Sequence, residues 1–83
     1  MTTPNPTNPP RSHQIGEFIR TRRVANHLTQ QALGELAGVG TRFISELERG
    51  KATVRLEVVD RVLRVFGKEV GIVDATKPLD ETE

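Results

Sequence analysis

The residues whose chemistry is most specific lie close together. Within TRFISELERGK stand Thr41, Arg42, Ser45, Glu46, Arg49 and Lys51, with Gln30 upstream. These are hydrogen-bond donors and acceptors of the kinds that recognise nucleic acid. An arginine can give two parallel bonds to guanine O6 and N7, a threonine offers a methyl to thymine and a hydroxyl to either base, and a carboxylate accepts from cytosine N4. Thr41, Arg42 and Glu46 are therefore the expected base-contacting residues, with Glu46 having a second use in holding Arg42 or Arg49. Gln30, Ser45, Arg49 and Lys51 suit phosphate oxygens, where contacts set register without reading sequence.

Other chemistries find no matching pattern. Ser12 and Ser45 are the only serines, and neither stands on a strand-turn-helix elbow followed by a histidine and a carboxylate. His13 and His27, both expected at the surface, have no cysteine partner because the chain has no cysteine. Gly34, Gly38 and Gly40 lack the preceding strand and the Gly-Lys-Ser/Thr ending of a phosphate loop. The expectation is a binding protein, not an enzyme, with no cofactor, no catalytic residue and no metal site.

Short helices must position the donors. Thr29 can cap a helix that opens at Gln30, with Leu33 and Ala37 four residues apart on one face and Gly34 allowing close approach of a neighbouring backbone. Gly38 is a natural left-handed terminator, and Val39 dips inward to fix the turn. A second helix begins near Gly40 with Ile44 and Leu47 inward, which leaves Thr41, Arg42, Ser45, Glu46 and Arg49 outward. Two helices so joined are the layout of a helix-turn-helix, whose second helix enters the major groove. Ahead of them, Ser12 to Val24 or Asn26 reads as a helix with Ile15, Phe18 and Ile19 inward. Glu48 reads as a structural tie from the recognition helix to Arg23 or Arg20, and Phe43 as either a core edge or a contact to a sugar or thymine methyl.

The wording resembles the Cro/C1-type (XRE) helix-turn-helix family, through Thr29 and Gln30 opening the second helix, Gly38 and Val39 at the turn, and Glu48 and Gly50 after the third. The likeness runs from about Ile15 to Phe66. It implies an all-α, lambda-repressor-like helix-turn-helix domain of four to five helices that binds double-stranded operator DNA as a transcriptional repressor. Within the family, GVGTRFISELERGK followed by a helix and KEVGIVD is most similar to HipB-like antitoxins. That narrower resemblance implies an autoregulatory antitoxin of a type II toxin-antitoxin pair, whose partner is a HipA-like toxin kinase. The chain departs from the pattern at Gly40, where a serine or threonine usually caps, at Phe43, and at His27, where a glycine often closes the first helix. The alternatives are a stand-alone or phage-type repressor without a toxin, and a protein-interaction module that has lost DNA binding.

Composition sets the frame. Eighty-three residues make one small domain, for which a second copy would add buried area. The net charge of +1 averages unlike regions. Basic side chains outnumber acidic ones eight to four through residue 55, while the last ten residues hold four acidic groups and one lysine. A basic body suits phosphate. Arg61 and Arg64 read as solubilising charges. Residues 1–12 hold four of the five prolines and read as a flexible arm, with Arg11 a possible DNA contact. The helix-turn-helix domain is expected over 13–67 and an acidic, mobile tail over 75–83. No apolar run approaches the roughly 20 residues of a membrane span. No signal peptide is evident either, so the expectation is a bacterial cytoplasmic, nucleoid-associated protein with no membrane contact.

The last helix, from about Arg55 to Phe66, has two apolar stripes. One holds Leu56, Val59, Leu63 and Phe66, the other Val58, Val62 and Val65. One completes the core and the other suits a twofold-related copy. Residues 68–74 then alternate, with Val70 and Ile72 on one face, and read as a short strand with no partner strand in their own chain. Pairing across a homodimer resolves the unpaired backbone. Val58, Val62, Val65, Val70 and Ile72 are thus the expected dimer interface.

Overall fold

The computed structural model describes residues 11–75 of the 83, so the arm through residue 10 and the tail from 76 lie outside the described residues. The described chain is all-α: α1 spans Arg11–Ala25, α2 Gln30–Ala37, α3 Thr41–Glu48 and α4 Leu56–Val65. Arg11 and Ser12, read as arm and cap, are both inside α1. None of these helices is long and apolar enough to cross a membrane.

Each helix is closed in the same way. Past α1, α2, α3 and α4 stand His27, Gly38, Gly50 and Gly67, with φ of 59°, 74°, 85° and 75°. In each case the next amide reaches back to a carbonyl in the last turn: Leu28 to Arg23, Val39 to Gly34, Lys51 to Glu46 and Lys68 to Leu63, at 2.8–3.1 Å. This is the Schellman closure, which satisfies carbonyls that the helix leaves unpaired. Three closures use the residue that adopts positive φ without steric cost. At α1 a histidine does so instead, one of the side chains that tolerates this region better than most.

The core draws on every helix. Ile19, Leu33, Ile44 and Val62 are fully shielded, with Ala37, Leu47, Val59 and Leu63 completing the buried set. Ile15, Phe18, Val39 and Phe43 pack half-buried against it, so Phe43 serves the core edge. α3 packs on both α1 and α2, and α2 on α4. Gly16 makes the α1 crossing possible, since a Cβ there would collide with the Leu47 carbonyl and press on that of Glu48. Gly34 does the same for the turn, where a Cβ would stand 2.7 Å from the Val39 carbonyl oxygen.

Two expectations at the C-terminal end need correction. The inward face of α4 runs between the two apolar stripes: Val59, Val62 and Leu63 are buried, while Leu56 is 66% exposed. Val62 is therefore part of the chain's own core and not available to a dimer. Helix periodicity gives the stripes, but which angle faces inward is set by where α1 to α3 lie. In the single chain, residues 68–74 form no strand, because a ladder requires a second strand and none of the described residues supplies one.

Candidate nucleic-acid interface

The α2 to α3 turn is built from local chemistry. The Thr29 hydroxyl accepts the Ala32 N–H at 2.9 Å, which caps α2 with Gln30 as its first residue. Gly40 precedes α3 in an extended conformation and supplies no side-chain cap. From the fourth helix, Arg61 donates to the Gly38 carbonyl at 3.3 Å, so a residue read as merely solubilising also braces the turn.

One buried clamp fixes how α3 is held. The Glu48 side chain, 3% exposed, receives Arg23 Nε at 2.6 Å and Arg23 Nη2 at 3.1 Å in a bidentate pair. Gln30 Nε2 adds a third donor at 3.1 Å, and Arg23 Nη1 continues to the Leu28 carbonyl at 2.7 Å. Glu48 thus binds α3 to both α1 and the start of α2, with Arg23 the partner of the two arginines considered. Gln30, expected toward phosphate, is half-buried with one side-chain amide hydrogen committed to this clamp. That joint role was not read from the sequence. A glutamine at the first turn of a helix gives no sign of which way it faces.

The opposite face of α3 carries the remaining candidates. Arg42, Ser45, Glu46 and Arg49 are spaced i, i+3, i+4, i+7 and share one face, with Thr41 beside them at the helix start. Thr41, Arg42 and Arg49 are exposed, and Ser45 and Glu46 are half-buried. The Arg42 side chain is 91% exposed and its Nε donates to Glu46 Oε2 at 3.3 Å. Its two terminal nitrogens have no partner among the described residues. Glu46 Oε1 meets Lys51 Nζ at 3.4 Å, so the carboxylate sits between two cations. The Lys51 ammonium, and after it the Arg42 guanidinium, hold the Glu46 carboxyl below its ordinary value. Of the two arginines weighed as its partner it binds Arg42, with Lys51 as an unforeseen second. The Lys51 position depends on Gly50, which also lies against the His13 ring of α1. His13 is exposed, as read, yet covers this turn.

A small helical core that exposes a turn-linked helix with a row of donors is the architecture of a helix-turn-helix DNA-binding domain. Residues 19–73 match the family model described as helix-turn-helix. The chain is also 41% identical over 59 residues to the HTH-type transcriptional regulator y4mF of Sinorhizobium fredii, covering 71% of this chain and 78% of that protein. The chain belongs to the Cro/C1-type helix-turn-helix family and is a transcriptional regulator with a DNA-binding domain of that kind.

Proposed function

We propose that this protein is a homodimeric repressor that reads a palindromic operator with the outer face of α3. The observation that carries the reading is Arg42. It stands at the second position of the recognition helix with its side chain 91% exposed, and its Nε is held by Glu46 so that the two terminal nitrogens present a fork. That fork fits guanine O6 and N7. Thr41 is the neighbouring base contact, and Glu46 acts mainly through Arg42 and Lys51. Ser45, Arg49 and Lys51 contact phosphate, while Gln30 contributes by steadying Glu48 and with whatever bonding capacity the clamp leaves. The protein acts by binding alone, in the bacterial cytoplasm at the nucleoid.

Dimerisation is supported by apolar groups gathered after the helix-turn-helix: Leu56, Ile72 and Val73 are exposed, and Val58, Val65 and Val70 are half-buried. A rigid dimer binds half-sites whose centres lie about 34 Å, one helical turn, or a multiple apart. Inserting about five base pairs rotates one half-site to the far side of the duplex. Affinity should then fall to that of a single half-site; unchanged affinity would refute the rigid dimer. The wording of residues 38–51 and the KEVGIVD segment support the narrower reading, an autoregulatory HipB-like antitoxin that neutralises a HipA-like toxin kinase. Expression of the adjacent reading frame with and without this protein tests it. Growth arrest relieved by co-expression supports the antitoxin, and a neighbour with no toxicity favours the stand-alone repressor.

A further inference from the structure

The segment after α4 is tied to its own domain along one edge only. The Lys68 N–H donates to the Leu63 carbonyl at 3.0 Å, and the Val70 N–H to Asp60 Oδ1 at 2.7 Å. These amides are two residues apart, the interval at which an extended chain returns its backbone groups to the same edge. Asp60 is itself held, with Oδ2 receiving Arg64 Nε at 2.6 Å, and Arg64 Nη2 continues to Glu69 at 3.1 Å. The amides of Glu69, Gly71 and Val73 fall on the other edge and have no hydrogen bond among the described residues.

Resting on the dimer reading above, we infer that Asp60 selects this free edge for antiparallel pairing with a second copy of the chain, about a twofold axis at Gly71. A twofold antiparallel ladder on this edge can centre on a hydrogen-bonded pair, at residue 69, 71 or 73, or on a non-hydrogen-bonded pair, at Val70 or Ile72. The Val70 centre sets Lys68 opposite Ile72, and the Ile72 centre sets Val70 opposite Asp74. Centring on Glu69 would set Phe66, at the end of α4, opposite Ile72, and Lys68 opposite Val70. Centring on Val73 sets Ile72 against Asp74. Only the Gly71 centre places Val70 opposite the partner's Ile72 and Lys68 opposite the partner's Asp74, apolar to apolar and cation to anion. Both are non-hydrogen-bonded positions, where facing side chains come closest. The arrangement also accounts for Ile72, which is wholly exposed in the single chain. It would lie beside the partner's Val70, a residue already packed on that subunit's core. Self-complementarity of this kind points to a copy of the same chain as the occupant.

The full chain has no cysteine, so single cysteines report without background. Glu69→Cys, Gly71→Cys, Ile72→Cys and Val73→Cys are oxidised under mild conditions, alongside sedimentation of each protein. A Cβ at Gly71 meets nothing within 4 Å, so that variant leaves the domain undisturbed. Opposed hydrogen-bonded residues have Cα atoms about 5.5 Å apart, within disulfide reach. At residue 73 the two copies stand four residues out of step, about 14 Å, beyond any bridge. Cross-linking should peak at Gly71→Cys and be lost at Glu69→Cys and Val73→Cys. Adding Asp60→Ala should broaden the profile with helicity retained, and an unchanged profile would remove Asp60 from the account. A peak elsewhere, or none in a protein that sediments as a dimer, would overturn the register while leaving the dimer reading intact. A monomer, free and on operator DNA, would overturn both.

Discussion

Glu46 and Glu48 stand two residues apart on α3, each bridging donors from two residues, yet they serve opposite faces of the helix. Glu48 is shut in, and its bonds run to Arg23 of α1 and Gln30 of α2. Glu46 is at the surface, and its bonds stay within α3 and the turn that leaves it, on Arg42 and Lys51. The inner carboxylate therefore governs where the recognition helix lies, and the outer one governs how its cations are presented. The difference is one of reach as much as of burial. A bond that spans elements holds the fold, and one between near neighbours on the chain adjusts a site.

Breaking the inner half should have the largest effect. Glu48→Ala strands the Arg23 guanidinium with a lost charge partner in a mostly buried setting, a loss of about 3 kcal/mol at the lower end for broken buried pairs. Urea unfolding should show that loss, with DNA affinity falling as α3 loosens. Wild-type stability in this variant would reduce the clamp to an incidental contact. In the outer half, Lys51→Ala should leave unfolding nearly unchanged, weaken operator and random DNA alike, and lower the salt slope by about 1. A loss confined to the operator would reassign Lys51 as a base reader.

The smallest effect is the pH response of Glu46. Its carboxyl titrates below its ordinary value, chiefly because of Lys51, so the stabilisation it contributes is fully present above the ordinary carboxylate range. That contribution is lost as pH falls through the lowered value. Because the group lies at the surface and bonds only to solvent-accessible cations, the response should appear as a site titration and not as acid unfolding. Carboxyl NMR should show the Glu46 midpoint moving upward in Lys51→Ala. No movement would mean that the lysine does not hold it.

Much of the helix-turn-helix was legible because its signals are local. A threonine cap, a glycine three residues before the next helix, and apolar pairs at helical spacing act within one turn of chain, and Thr29, Gly38, Ile44 and Leu47 take the positions read for them. What escaped depends on packing between elements. Gly16 has no turn to mark it and is required only because α3 crosses α1 at that point. The buried face of α4 was divided wrongly because its excess of apolar residues fits more than one angle, and the positions of the other helices decide among them. Gln30 shows the same limit within the site, where a residue read for its chemistry is partly taken up by the architecture.

The central claim is that the outer face of α3 reads base edges through Arg42 while the clamp beneath only holds it in place. The direct measurement is the dissociation constant of Arg42→Ala for operator and for random duplex at one salt concentration, with unfolding followed in parallel. The account predicts a loss of about 1 to 3 kcal/mol on the operator, little on random DNA and unchanged stability. Equal losses on the two duplexes would contradict it and would make Arg42 a phosphate contact.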